Sequence, residues 1–197
     1  MARLRASQKE MTRRLLLSTA LELFETHGYA GTTVDDIARA AGTTRVTFYA
    51  YFPSRTALVK ALFGELEELA AGHTDALVGV VRDGGRNGIG AWLRAAADRW
   101  PRIRPYVLAA HDAAAVDPEV RELVEGRFDG LVADVQAALD RAGRFDPASR
   151  RMRAFLALTQ LDQLARHWMR HGWQSAPETA LGLLTDSWVQ LLGRPTA

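Results

Sequence analysis

Apolar residues recur along almost the whole chain at the three-to-four-residue spacing of an α-helix, and strand-like alternation is nearly absent. From Met11 to His27 that spacing aligns Leu15, Leu16, Thr19, Leu23 and Phe24, and Gly28 follows as a C-cap glycine. Thr32 or Thr33 then caps a short helix from Val34 to Ala40, with Asp35 and Asp36 in the first turn where carboxylates favour the helix dipole. Gly42 ends it, a second short helix runs from Thr44 to Tyr51, and Pro53-Ser54 opens a longer one from Arg55 to Val81. Residues 83–90 hold four glycines and are expected to form a loop before a helix over Ala91–Trp100. Pro101 and Pro105 punctuate the chain ahead of a segment from Tyr106 to Ala115. Asp117-Pro118 and Asp146-Pro147 each have the form of a helix start. The first opens a stripe of Val120, Val124, Phe128, Leu131, Val135 and Leu139; the second opens a helix to His171. Ser175 and Glu178 have the spacing of a capping box for a last helix ending near Gly193. The pattern predicts an all-α fold.

Composition narrows the classes. With 197 residues, 48% of them apolar, the chain can bury a sizeable core. It has no cysteine, which removes disulfides, thiolate metal sites and cysteine nucleophiles and fits a cytoplasmic location. No run approaches the ~18 apolar residues of a membrane span, so no membrane partner is expected. Charge is uneven: residues 1–60 hold nine Lys/Arg and five Asp/Glu, the remainder 16 and 18. A basic head on a slightly acidic body fits contact with a polyanion, and equally fits a solvated surface.

The sharpest chemistry lies between Thr33 and Tyr51. Two short helices joined by Ala41-Gly42-Thr43 form a candidate helix-turn-helix, in which the first helix braces the second in a DNA major groove. An ordinary helical hairpin has the same outline. Residue types favour DNA: Thr44, Arg45 and Thr47 open the second helix, where arginine can bond guanine through two N–H groups and threonine can meet phosphate or a thymine methyl. Tyr49 and Tyr51 offer hydroxyls to phosphate, and Arg55 begins the next helix. Arg3, Arg5, Lys9, Arg13 and Arg14 form a basic lead-in that suits a minor-groove arm or a solvated tail.

From Thr12 to Leu58 the chain resembles the TetR family of bacterial transcriptional regulators. The residues that carry the likeness are Leu21-Glu-Leu-Phe24, His27-Gly-Tyr29, the run Thr32 to Gly42, and the run Thr44 to Leu58. The resemblance implies that Thr33, Thr44, Arg45, Val46 and Thr47 face DNA, that Tyr49 and Tyr51 touch backbone or flanking bases, and that Arg55 meets a phosphate. Arg55 stands where lysine is common, and Val46 where a small residue or proline is usual. It implies a three-helix DNA-binding domain over residues 1–55 and a larger helical ligand-binding and dimerisation domain over 56–197.

In the body, Leu158, Leu161, Ala165 and Trp168 share one helical stripe, and Leu181, Leu184, Trp188 and Leu191 repeat its spacing. Alone, these stripes say only that the faces are buried somewhere; the resemblance makes them a homodimer interface. A twofold dimer would read a palindromic operator in double-stranded DNA, and a ligand that favours one arrangement of the two reading helices would change affinity. Candidate residues for a small-molecule effector are Trp92, Trp100, Tyr106, His111, Phe128, Met152, Thr159 and Gln160. Gln160 stands among leucines and would need a partner if buried. Residues 108–188 resemble the ethionamide-resistance regulator subgroup through the run Ala109 to Val120, the Gln160 region and the Trp188 helix. That likeness implies an uncharged, elongated, lipophilic effector, and the wider TetR resemblance implies a repressor.

Other classes have less support. His167 and His171 have an i, i+4 metal spacing, but they sit beside Arg166 and Arg170 and a third ligand is missing. The glycines of 84–90 follow a helix and lack a P-loop Lys-Ser/Thr pair. Neither a catalytic constellation nor a cofactor is expected, and a helical interaction module without DNA binding remains the alternative.

Overall fold

The computed structural model describes the backbone of residues 2–194 and the side chains of 7–194. Nine helices and no strand occur among the described residues: α1 (Ala2–His27), α2 (Val34–Ala40), α3 (Arg45–Tyr51), α4 (Arg55–Ala70), α5 (His73–Asp83), α6 (Arg86–Ala114), α7 (Pro118–Ala142), α8 (Pro147–His171) and α9 (Pro177–Leu192). The all-α expectation holds.

Most boundaries fall where local chemistry puts them. Gly28 and Gly42 adopt φ of +72° and +64°, the left-handed geometry that closes α1 and follows α2. Thr33 rather than Thr32 caps α2 (its Oγ1 accepts from Asp36 N), while Asp36 accepts from Thr33 N at 3.0 Å. Thr32 is buried, its hydroxyl donating to Gly28 O at 2.8 Å. Asp117 Oδ1 accepts from Glu119 N at 3.0 Å and from Val120 N at 3.4 Å, which opens α7.

Four expectations are corrected. The helix expected over Arg55–Val81 breaks at Gly72, whose φ of +75° ends one helix and caps the next. The expected loop over 83–90 shrinks to Gly84 and Gly85, because burial of Ile89, Trp92 and Leu93 outweighs the ~1 kcal/mol helix penalty of each of Gly88 and Gly90. Gly90 in turn admits Thr185 closely: a β-carbon there would lie 3.4 Å from Thr185 Cγ2. Pro101 and Pro105 do not divide α6, which is anchored by Trp92, Ala96 and Trp100 on one side of them and by Ala109, Ala110 and Ala113 on the other. Finally, Ser175 and Glu178 form no capping box: Pro177 takes the first helical position, so Ala176 is the N-cap and no side chain caps α9.

The chain forms two compact units: residues 1–69 with 103–124, and residues 70–102 with 125–197. The first packs Leu16, Leu17, Ala20, Phe24, Ile37, Phe48, Leu58, Leu62, Ala113 and Val120 into one core. The second packs Leu77, Val81, Ile89, Leu93, Val135, Leu139, Ala157, Leu184 and Trp188. In that second unit Arg144 donates to Val81 O, Arg82 O and Leu192 O, which satisfies carbonyls at the C-terminal ends of both α5 and α9.

Candidate nucleic-acid interface

The first unit builds its outer surface from a rigid inner one. Ile37, Ala38 and Ala41 are buried against Phe48, so the two short helices cross on an apolar contact. The turn between them is tightened by Gly42 N donating to Arg39 O and Thr43 N to Ala38 O, at 3.0 and 2.9 Å. Thr44 caps α3: its Oγ1 accepts from Thr47 N at 3.1 Å and lies 3.0 Å from Thr47 Oγ1. Phe48 and Phe52 then point inward, leaving Arg45, Val46 and Tyr49 outward. Val46 is 80% exposed, a large apolar side chain held in water at the start of the helix.

Around that face the sequence-derived residues separate into groups. Thr33, Thr44, Arg45, Val46, Thr47 and Tyr49 are at the surface of α2–α3 or only half-buried there. Arg45 Nη1 donates to Asp35 Oδ2 at 3.0 Å and Nη2 to the Tyr49 hydroxyl at 3.4 Å. The Asp35 carboxylate, first among causes, holds that guanidinium above its ordinary pKa. Asp36 is held below the ordinary carboxyl value by the hydrogen bond from the Thr33 side chain. Tyr51 is half-buried against the core. Arg55 is half-buried: Nη1 donates to Tyr29 O at 2.9 Å and to Thr32 O, and the guanidinium lies 3.9 Å from the Tyr29 ring centroid. Of the basic lead-in, Arg14 pairs with Glu10 and Arg13 lies over Phe52, while the side chains of Arg3 and Arg5 lie outside the described residues.

Two carboxylates here reach partners that their local sequence does not announce. Asp35 stands in the first turn of α2 as a dipole partner, yet it also bonds a residue ten positions away. Asp117 marks a helix start in the sequence, yet its Oδ2 also accepts from the Thr56 hydroxyl at 2.6 Å and from the Tyr29 hydroxyl at 3.4 Å. A local signal existed only for Asp35: the capping box uses one carboxylate, and two stand in the first turn.

The ligand candidates are distributed over both units. Tyr106 and His111 belong to the first unit, where the Tyr106 hydroxyl donates to Glu65 at 3.3 Å. In the second unit Trp92 is stacked between His73 and Trp188, with ring centroids 4.4 and 5.6 Å away. Trp100 meets Trp168 and Trp173 at 5.6 and 5.5 Å. Phe128 sits edge-on to Phe155, Met152 is exposed and Thr159 is half-buried. Gln160 is exposed and accepts from the Ser187 hydroxyl at 2.9 Å. An open cleft of about 390 Å³ in the first unit is lined by Leu23, His27, Gly31, Thr32, Asp36, Arg39 and Ala40, none of them a ligand candidate.

The dimer candidates face mostly inward. Leu158, Ala165, Leu181, Leu184 and Trp188 are buried within the chain itself, and Leu161, Trp168 and Leu191 are half-buried. The apolar residues that α8 and α9 leave exposed are Met152, Phe155, Leu156 and Leu183. His167 and His171 stand 4.9 Å apart by ring centroid, and no group of three or more metal-ligating side chains occurs among the described residues. No helix among them is long and apolar enough to cross a membrane.

Residues 16–62 match the family described as "Bacterial regulatory proteins, tetR family". The HTH-type transcriptional regulator EthR of Mycolicibacterium smegmatis is 28% identical over 183 residues, covering 88% of this chain and 82% of that protein. TcmR of Streptomyces glaucescens, also an HTH-type transcriptional regulator, is 31% identical over 147 residues, 66% of this chain and 62% of its own. Among solved structures, FadR of Thermus thermophilus, a TetR-family repressor crystallised with lauroyl-CoA, superposes with a TM-score of 0.62 at 19% identity, covering 94% of this chain and 97% of that one. With a matching family segment laid over the helix-turn-helix, regulators similar along most of the chain and the same helical fold, the chain carries the DNA-binding segment of the TetR family of bacterial transcriptional regulators and is a DNA-binding regulator.

Proposed function

We propose that this regulator is a repressor that binds a palindromic operator as a homodimer and is released by a small, mostly lipophilic ligand. The observation that carries it is the outward face of α3, where Thr44, Arg45, Val46, Thr47 and Tyr49 place hydroxyls, a guanidinium and an apolar branch on one short, rigid helix. Those groups match phosphate, guanine and thymine methyl respectively. Thr33 and Tyr51 flank that face, and Arg55 adds positive charge at the start of α4 while keeping its carbonyl bonds. Residues 1–55 carry the DNA contacts, and residues 56–197 carry the ligand site and the dimer contact.

A single reading helix of seven residues touches few base pairs, so a twofold pair is needed to span half-sites about 34–36 Å apart. The exposed apolar residues of α8 and α9, Leu156 and Leu183 first, suit that pairing, whereas Trp188 supports the face from inside. The tryptophans at 92, 100, 168, 173 and 188 all lie in the second unit and supply flat apolar surface for an elongated effector. The lauroyl chain of the acyl-CoA bound by the Thermus protein, which shares this fold, supports the elongated apolar part of that class. A ligand of this kind acts by binding one arrangement of the dimer better than the other. The protein works in the cytoplasm, where its operator is.

Selection of bound sites from a random duplex library, at near-physiological salt, tests the reading. Recovery of an inverted repeat supports a dimeric operator reader; recovery of a single asymmetric site refutes the palindrome; recovery of no preferred sequence refutes base reading by α3.

A further inference from the structure

This inference rests on reading α3 as the helix that enters DNA. Arg45 is its first residue, and Asp35 lies in the first turn of α2. Only the crossing of the two helices brings them together, at 3.0 Å from Nη1 to Oδ2. Tyr49, one turn along α3, takes an Nη2 hydrogen at 3.4 Å and places its ring 5.5 Å from the guanidinium carbon. The guanidinium is thus held by a carboxylate, a hydroxyl and a ring face, while 60% of the arginine side chain and 50% of the aspartate side chain remain open to solvent.

Two roles for Asp35 are poorly served by this placement. The cap of α2 is already complete, since Thr33 and Asp36 bond each other reciprocally. An exposed ion pair adds little stability, and a carboxylate beside base-reading residues repels the phosphates of any duplex brought to α3. What the carboxylate does change is Arg45. Arginine is a long side chain with many rotamers, and its planar fork discriminates a base only when oriented. A guanidinium carries five N–H donors. Asp35 and Tyr49 take one from each terminal nitrogen, and among the described residues no other acceptor engages Arg45. Enough donors remain for the paired bonds that guanine N7 and O6 accept in the major groove.

We propose that Asp35 is a positioning residue for base recognition: it braces Arg45 so that the guanidinium reads a guanine in each half-site. The brace acts on specificity and opposes affinity. It selects one orientation of the fork, and it keeps Arg45 from reaching for the nearest phosphate of any sequence.

The test uses the full-length protein as wild type, Asp35→Asn, Arg45→Ala and the double variant. Binding sites are selected for each, followed by competition titrations over a salt series, with circular dichroism confirming the fold. Arg45→Ala is expected to lose about ten-fold or more preference for one G·C pair per half-site. Asp35→Asn is expected to lose most of that preference while binding unrelated duplex as well as wild type or better, and the double variant is expected to be no less selective than Arg45→Ala alone. Retention of the full G·C preference by Asp35→Asn, or a uniform loss of affinity for all duplexes, overturns the brace. Loss of preference in Asp35→Asn but not in Arg45→Ala also overturns it, because Asp35 would then read a base amine itself. Failure of the wild type to select any sequence is a different result: it removes α3 as a reading helix and the brace with it.

Discussion

The guanidinium of Arg55 lies 3.9 Å from the centroid of the Tyr29 ring and donates at 2.9 Å to the carbonyl of that same residue. With the further bond to Thr32 O, one side chain at the start of α4 fastens the loop between α1 and α2. That loop positions Thr33, the cap of α2, and through α2 the turn that aims α3. Replacing Arg55 with alanine is expected to cost about 2–3 kcal/mol, from lost cation–π contact and charged hydrogen bonds. Arg55→Lys keeps the charge but not the fork, and is expected to recover less than half of that loss in denaturant unfolding. Full recovery by lysine would mean that only the charge matters there.

Asp117 ties the same region from another side. The hydroxyl of Thr56 is the main cause that holds its carboxyl below the ordinary value of 3.8. Because the unfolded chain takes up a proton at higher pH than the folded one, the associated stability is present above about pH 3.9 and is lost as pH falls toward the lowered folded value. Asp117→Ala is therefore expected to cost about 1–2 kcal/mol at neutral pH, mostly as a lost helix cap. That difference should shrink in acid. Denaturant titrations of both proteins from neutral pH into acid check it.

His73 gives the second pH window. Burial, and then the charge of Arg99, push its imidazole below the ordinary 6.5. Its Nε2 is buried without a hydrogen-bond partner and the ring is stacked on Trp92. The unfolded chain gains the proton first, so stability is full above about pH 6.5 and declines as pH falls toward the folded value. His73→Phe keeps a ring on Trp92 and removes the titrating group. Its melting temperature is expected to fall less than that of the wild type on acidification through this range.

Leu183 and Trp188 allow folding and the proposed assembly to be tested separately. Trp188 is fully buried and donates through Nε1 to Ala157 O at 3.1 Å, so Trp188→Ala is expected to cost about 3–5 kcal/mol. Leu183 is 67% exposed, so Leu183→Glu is expected to change monomer stability by no more than about 0.5 kcal/mol. If α8 and α9 form the dimer face, Leu183→Glu, alone or with Leu156→Glu, gives a folded monomer with much weaker operator binding. Light scattering coupled to size exclusion reads the outcome, and a Leu183→Glu, Leu156→Glu protein that still elutes as a dimer moves the interface elsewhere.

Helix ends set by local chemistry are written in the residue order alone. Gly28 and Gly42, the Asp-Pro pairs at 117 and 146, and the cap at Thr33 act through bonds within a few residues, so the corresponding helix ends were legible. The chemistry of α3 was legible too, because Thr44 to Tyr49 is one contiguous run. Whatever depends on a distant partner is settled only when the chain folds. Pro101 and Pro105 would each cost an isolated helix about 3 kcal/mol, yet α6 continues because both of its ends are held in apolar cores. Hydrophobic stripes on α8 and α9 announced burial but not what they bury against, and Trp188 proves to pack within the chain while Gln160 stays at the surface with Ser187. Likewise two adjacent aspartates look alike in sequence: Asp36 closes the cap three residues back, and Asp35 reaches Arg45 only because the fold crosses α2 over α3.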